Sequence, residues 1–92
     1  MEIKLSELQW DTFNTIHIVK HNVSKLEVIQ ACNNKIYTDK TYGDRYLLVG
    51  MTKSGRYISV VLASFGINKY YVVTARDSSK GERKKAHDFE KK

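Results

Sequence analysis

Two imidazoles and an amide recur at helical spacing near the start of the chain. Asp11 is suited to cap a helix that begins at Thr12. On such a helix Asn14, His17 and His21 follow at intervals of three and four residues, so they share one face. The opposite face carries the apolar residues Phe13, Ile16 and Val19. We expect the apolar side to anchor the helix on a core, and the polar side to serve proton transfer or contact with a polyanion, because histidine exchanges a proton near neutral pH.

Three arginines stand at the ends of predicted strands: Arg45, Arg56 and Arg76. A guanidinium group pairs with two phosphate oxygens at once. Because strand ends in a meander lie near one another, the arginines are candidates for one cationic cluster on an edge or face of the sheet. The alternative for each is a solvated strand end or a surface ion pair. Arg76 is the strongest single candidate, since it is predicted to pass from a buried strand directly into a capped helix.

These residue types match the needs of RNA cleavage without a metal. The ribose 2′-hydroxyl attacks the adjacent phosphate while a base takes its proton, a cation stabilises the phosphorane and an acid protonates the leaving 5′-oxygen. His17 and His21 are candidates for the proton steps. Their alternative is a half-buried position between helix and sheet, bonded to a backbone carbonyl or to Asp11. No metal or cofactor is predicted, because two histidines four residues apart lack a third ligand at a suitable spacing and Cys32 is the single cysteine.

Composition predicts one domain over residues 1–92 with an acidic partner. The chain has 92 residues, a formal net charge of +6 and 41% hydrophobic residues, which is typical of a small globular protein. The excess of Lys and Arg favours nucleic acid, an acidic protein or anionic lipid. Candidate RNA contacts are Lys20, Tyr46, Lys80, Arg83 and Lys84. The alternatives are that Tyr46 packs against neighbouring strands and that Lys80, Arg83 and Lys84 lie on a solvated helix face. No apolar run suits a spanning helix or a leader, so we expect a cytoplasmic protein without a membrane.

Capping signals predict three helices. After the first helix, Asn22 suits a left-handed residue, and Ser24 with Glu27 forms a capping box for a second helix from Lys25 to Asn33-Asn34. Leu26, Val28, Ile29 and Cys32 are its expected buried residues. Ser79 with Glu82 forms a further capping box before a C-terminal helix, whose thin apolar face consists of Ala86 and Phe89.

Period-two patterning predicts the sheet. The expected strands cover Ile36–Asp39, Arg45–Thr52, Arg56–Phe65 and Lys69–Ala75, with Glu2–Gln9 as an edge strand or an extended lead-in. The turn at Lys53-Ser54-Gly55 places its glycine for a positive φ. The expected fold class is α+β: an N-terminal two-helix hairpin packed on a three- to four-stranded antiparallel sheet, with a C-terminal helix.

Six short motifs occur in order along these elements: Trp10-Asp11-x-x-Asn14-x-x-His17-Ile18-x-Lys20-His21-x-Val23, Glu27-Val28, Arg45-Tyr46, Gly55-Arg56-Tyr57, Val73-Thr74-Ala75-Arg76-Asp77 and Glu82-Arg83. In this order they resemble the BrnT family, the toxin half of a bacterial type II toxin-antitoxin module. The resemblance covers the chain from Trp10 to about Lys85.

The resemblance implies a RelE-like fold, cleavage of RNA that inhibits translation, and neutralisation by a cognate antitoxin with a ribbon-helix-helix DNA-binding region. It also implies a hetero-oligomer with that antitoxin and RNA as the substrate, on or off the ribosome. The sequence leaves two rival interpretations open: a basic module of the same fold that binds nucleic acid or a partner without cleavage, and a metal-dependent hydrolase that uses His17 and His21.

Overall fold

A computed structural model describes residues 8–67 and 69–91. The helices are α1 (Thr12–Lys20), α2 (Lys25–Asn33) and α3 (Lys80–Glu90). The strands are β1 (Leu8–Gln9), β2 (Lys35–Lys40), β3 (Arg45–Met51), β4 (Tyr57–Gly66) and β5 (Lys69–Asp77). The α+β class and the helix at each predicted position are therefore confirmed, while the part of the predicted lead-in before Leu8 lies outside the described residues.

The sheet is larger and less uniform than predicted. Its described strands are five, in the order β1-β5-β4-β3-β2. The predicted meander from β2 to β5 is antiparallel throughout, but β1 runs parallel to β5, with Leu8 opposite Tyr70. The expectation of three or four purely antiparallel strands is therefore wrong, because a segment of two residues suffices to extend the edge of the sheet.

The last strand continues past its predicted end. Arg76 and Asp77 were expected to leave the sheet, yet they pair with Ser59 and Ile58 of β4. The sequence pattern ends at Ala75 because the next two side chains are charged. Arg76 pairs with Glu82 of α3, and Asp77 pairs with Arg56, which directly precedes β4, so the ladder continues.

The predicted caps and turns are confirmed. Capping boxes with reciprocal hydrogen bonds begin α1, α2 and α3 at Asp11, Ser24 and Ser79. Asn22 has a φ of 58° and Gly55 a φ of 87°, the left-handed geometry that their turns require. Local chemistry therefore fixes the ends of the helices.

The first helix presents the opposite side to the core from the one expected. Asn14 and Ile18 are 1% and 0% exposed, whereas Phe13, Ile16 and Val19 lie in solvent. Burial of Asn14 is tolerated because its amide is satisfied: Nδ2 donates to the Gln9 carbonyl over 2.8 Å, and Oδ1 accepts from the Asp11 N–H over 2.9 Å. Leu26 of α2 is likewise exposed rather than buried.

Two helical layers enclose the sheet. The main core lies between the sheet and the α1–α2 layer, and it unites Ile18 and Val28 with Leu48, Val60 and other strand residues. A smaller core on the opposite face joins Tyr37 and Val49 to Ala86 of α3. On the main-core side α2 approaches β3 so closely that a Cβ atom at Gly50 would collide with the Ala31 backbone carbonyl.

We predict that Gly50→Ala lowers the free energy of unfolding by about 2 kcal/mol or more, because α2 must move away from β3. Urea denaturation followed by circular dichroism measures the change. Gly81→Ala is the matched control: a Cβ there meets nothing within 4 Å, so the free energy should stay constant or rise slightly. Equal stability of Gly50→Ala and the parent would contradict the close packing.

Candidate nucleic-acid interface

The sheet face that carries α3 is only partly covered. Alternation along the strands places three rows of residues on this face. The first row runs Tyr37, Val49, Ser59, Arg76, the second Asp39, Leu47, Val61, Thr74, and the third Arg45, Ala63, Tyr71. The first row is largely buried under α3, while all members of the second and third rows are half-exposed. We call these two rows the open face.

The third helix is fixed beside the open face at two points. Near its middle, Lys85 Nζ lies 2.6 Å from Asp39 Oδ2 and 4.7 Å from the ring centre of Tyr37. Phe89 stacks on Tyr37 with ring centres 5.3 Å apart. The second point is the first turn of the helix, where Glu82 faces Arg76.

Arg76 and Glu82 form a two-pronged ion pair. The guanidinium Nη1 donates to Oε1 over 2.7 Å and Nη2 donates to Oε2 over 3.0 Å. The side chain of Arg76 is 39% exposed and that of Glu82 16% exposed. Arg76 is therefore held in one orientation at the margin of the open face while part of its guanidinium contacts solvent.

Glu82 is the centre of a polar network beneath α3. Its Oε1 also accepts from the Ser79 N–H and from the Ser59 hydroxyl, each over 2.8 Å. Ser59 lies 2.7 Å from Ser78, and both serines are buried. The hydrogen bond from Arg76, aided by those from Ser79 and Ser59, lowers the pKa of Glu82 to about 2 despite its burial.

Arg45 shares the face with Arg76 but lies far from it. The register places it two rows along and two strands across, about 16 Å between Cα atoms from the strand rise and spacing. Its guanidinium carbon lies 5.9 Å from the ring centre of Tyr42. The two arginines can therefore contact successive parts of an extended polyanion, although not one phosphate.

Arg56 lies on the opposite side of the sheet and serves as a clamp. Its Nη1 donates to the Asn22 carbonyl over 2.7 Å and to Glu27 over 2.9 Å, and its Nε donates to Asp77 over 2.6 Å. These bonds join the α1–α2 turn to the ends of β4 and β5. The predicted cluster of three arginines is thus wrong, because alternation along paired strands sends Arg56 and Arg76 to opposite faces.

The pKa values of Arg56 and of its two carboxylate partners are shifted by these contacts. The hydrogen bond to Asp77 raises the pKa of Arg56 despite burial, and in return lowers the pKa of Asp77. Burial acts to raise the pKa of Glu27, but hydrogen bonds from the Ser24 backbone and from Arg56 outweigh it and lower that pKa. All three groups therefore remain charged near neutral pH.

The two histidines lie on α1, away from the open face. Both are exposed, with ring centres 5.3 Å apart in an edge-on arrangement. The half-buried alternative is therefore wrong, and Asp11 instead accepts from the Asn14 N–H and the Tyr71 hydroxyl. Because α1 packs on the main-core side of the sheet, the structure does not bring His17 or His21 to Arg76.

The predicted RNA contacts are divided among the surfaces. Lys80, Arg83 and Lys84 are exposed on α3, although Arg83 also donates to the Ser78 carbonyl over 2.9 Å. Lys20 is exposed on α1. Tyr46 lies on the main-core side, edge-on to Tyr70 at 6.4 Å between ring centres. Of the predicted contacts, Lys80, Arg83 and Lys84 belong to the helix that borders the open face.

No group of three or more metal-ligating side chains occurs within residues 8–67 and 69–91. Cys32 is buried, and its burial raises the pKa of the thiol to about 12. The thiol therefore stays protonated and unreactive. Among the described helices none is long and apolar enough to cross a membrane.

Sequence reasoning missed the partners of the arginines. Glu82 was recognised as the third residue of a capped helix, but its pairing with Arg76 was not. The contact of Lys85 with Asp39, which fixes α3 beside the open face, was also missed. The sequence contains one signal for the Arg76–Glu82 pair. Arg76-Asp77 and Glu82 occur in consecutive motifs on either side of the strand-to-helix junction, where oppositely charged residues can pair.

Comparisons with known proteins add no identification. No family model matches the chain. No curated protein shows significant similarity to it either.

We predict that Glu82→Gln removes about 2 kcal/mol of the free energy of unfolding at pH 7, since it deletes a charged partner of Arg76. A depressed pKa means that the stabilisation is fully present above the unfolded pKa of about 4.5 and disappears as pH falls through about 2. Urea unfolding at pH 7, 4 and 2.5 should therefore show a steep loss in the parent and a shallower one in the variant. Parallel pH profiles would refute the assignment.

We also predict opposite behaviour for two arginines. Arg56→Ala should lower the free energy of unfolding by about 2 kcal/mol, because it removes the cation from Glu27 and Asp77 and the guanidinium donor from the Asn22 carbonyl. Arg45→Ala should change it by less than about 0.5 kcal/mol, as expected for a surface residue that forms no ion pair within residues 8–67 and 69–91. Thermal unfolding of both variants against the parent measures the difference, and similar losses in both would contradict the clamp.

Proposed function

We propose that this protein is a toxin of the BrnT type that cleaves RNA without a metal and thereby inhibits translation in the cytoplasm. A cognate antitoxin with a ribbon-helix-helix DNA-binding region would neutralise it in a hetero-oligomer. The observation that carries the proposal is the fixed, half-exposed guanidinium of Arg76 at the margin of a half-exposed sheet face, beside a helix rich in lysine.

The open face suits an extended, single-stranded polyanion. Val61, Ala63 and Thr74 offer a surface of small side chains on which bases can lie. Lys80 and Lys84 are exposed on α3, the helix that borders this face, and Arg45 supplies positive charge at its far end. Charge of this kind attracts the phosphate backbone irrespective of sequence.

Arg76 would stabilise the phosphorane in this arrangement. Its pairing with Glu82 fixes the guanidinium before RNA binds, so little rotamer entropy is lost on binding. The low pKa of Glu82 makes its carboxylate a weak base, which leaves it a positioning role. His17, His21 and Arg56 stand outside the proposed site, since they lie on the other side of the sheet or are engaged in the clamp.

The second candidate function is RNA binding without cleavage. It is favoured by one observation: the rows of the open face contain no imidazole, the side chain that most often transfers protons in catalysis. Proton transfer would then depend on groups of a larger assembly such as the ribosome. Comparison of cleavage with and without ribosomes therefore separates the two functions.

We predict that the purified protein cleaves total RNA in EDTA and that Arg76→Ala reduces the rate at least about 100-fold, the usual effect of losing a charge-stabilising donor. Arg76→Lys should restore only part of the rate, because lysine keeps the charge and loses the planar fork. Mapping of new RNA ends, with and without ribosomes, measures cleavage.

Lys53→Ala is the control for that experiment, because it removes the same charge from an exposed turn remote from the open face. Circular dichroism verifies that each variant is folded. Cleavage unchanged by Arg76→Ala would place the chemistry elsewhere. Intact RNA under every condition, together with salt-dependent binding, would establish the binding module instead.

A further inference from the structure

His17 and His21 form an exposed pair at the end of α1. His17 belongs to the last turn of the helix and His21 is its C-cap, so the two side chains are neighbours on the helix surface. Their ring centres are 5.3 Å apart and their planes meet at 66°. No hydrogen bond or ion pair found within residues 8–67 and 69–91 involves either ring. The nitrogen atoms of both rings are therefore free to bind a ligand.

The separation of the two rings is that of a pair that chelates a metal ion. Two imidazoles that bind one tetrahedral ion through bonds of about 2.1 Å have their ring centres about 5 Å apart. The terminal torsion of histidine is broad, so each exposed ring can turn a nitrogen towards the ion without movement of the backbone. Histidines at positions i and i+4 of a helix bind one metal ion in known motifs for the same reason. The structure thus holds two ligands at the required distance.

The residues around the pair select among metal ions. Residues 12–24 contain no Asp or Glu, and the exposed Lys20, three residues after His17, repels any cation that binds there. Mg²⁺ and Ca²⁺ need carboxylate or carbonyl oxygens, so this setting disfavours both. Cu²⁺, Ni²⁺ and Zn²⁺ accept neutral imidazole, and Cu²⁺ binds most tightly in this series. The pair therefore suits a transition-metal ion, which is held by bonds to nitrogen rather than by attraction between opposite charges.

We infer that His17 and His21 form an open binding site for a divalent transition-metal ion, with Cu²⁺ as the most tightly bound. The lack of a third protein ligand excludes a closed structural site, but an open site keeps positions for water or for a donor atom of another molecule. The ion joins the last turn of α1 to its C-cap, so its binding stabilises the folded chain. The inference does not depend on the proposed function, because that function needs no metal and its site lies on the open face.

Isothermal calorimetry of the untagged protein with CuCl₂, in a buffer that does not bind metal, measures the site. We expect saturable binding, with an affinity at least about tenfold lower for His17→Ala and for His21→Ala, since each variant loses the chelate. Electron paramagnetic resonance of the Cu²⁺ complex should show two bound imidazole nitrogens in the parent and one in either variant. Lys20→Glu should tighten binding, because it replaces a repelling cation by a carboxylate.

His87→Ala is the matched control, since His87 is exposed on α3 and lies against Tyr57, with ring centres 5.4 Å apart. Its Cu²⁺ affinity should equal that of the parent, and an excess of Mg²⁺ or Ca²⁺ should not compete. No saturable binding, equal affinity of the parent and His17→Ala, or a comparable loss in His87→Ala would overturn the inference. Circular dichroism verifies that each variant is folded. RNA cleavage in EDTA, measured in parallel, tests the proposed function separately, because EDTA removes the ion.

Discussion

The ion pairs at the end of β5 hold both helical layers on the sheet. Arg76 and Asp77 are neighbours in this strand, so their side chains point to opposite faces. Arg76 binds Glu82 and fixes the start of α3, while Asp77 binds Arg56, which in turn holds Glu27 at the start of α2. Two consecutive residues thus set the position of elements on both sides of the domain. The Arg76–Glu82 and Arg56–Glu27 pairs are partly buried, where opposite charges stabilise more than they do in open solvent.

Arg76 therefore has a structural role in the fold and, in the proposed function, a chemical role as well. Arg76 is stiff because it is paired, and a stiff guanidinium is a better phosphate ligand than a mobile one. Pairing also cancels part of its charge, so in the proposed function attraction of a polyanion would depend on the exposed lysines of α3 and on Arg45. Fold and binding surface are therefore not separable at this position, and effects of substitutions there need a measurement of folding beside one of activity.

Sequence reasoning succeeded where the chemistry is local. The cap at Asp11, the capping boxes at Ser24 and Ser79 and the left-handed Asn22 follow from hydrogen bonds within a few residues, and the structure has each of them. It failed where the outcome depends on distant partners. Asn14 is buried because the Gln9 carbonyl satisfies its amide, and that contact is invisible to a pattern of polar and apolar residues.

The candidate site shows the same limit more sharply. Residue types were informative, since Arg76 does stand at a rigid strand-to-helix junction. The predicted cluster of three arginines was wrong, because strand register decides whether two arginines share a face of the sheet. The register near Arg76 could not be predicted, since β5 extends two residues beyond its apolar pattern. The exposure of Phe13, Ile16 and Val19 could not be predicted from the sequence either. An apolar helix face predicts burial, but the pattern does not identify what covers that face.

The parallel pairing of β1 with β5 has a consequence for the order of folding. Strands β2 to β5 are neighbours in sequence, so they can assemble through successive hairpins with small losses of chain entropy. Leu8 meets Tyr70 only when the chain from α1 to β4 has been drawn into a loop, and closure of this loop costs more chain entropy than closure of a hairpin. The hydrogen bond from Tyr71 to Asp11 lies next to this pairing, at the start of α1. We therefore expect the first helix of the sequence to be among the last to dock, after the meander on which it rests has formed.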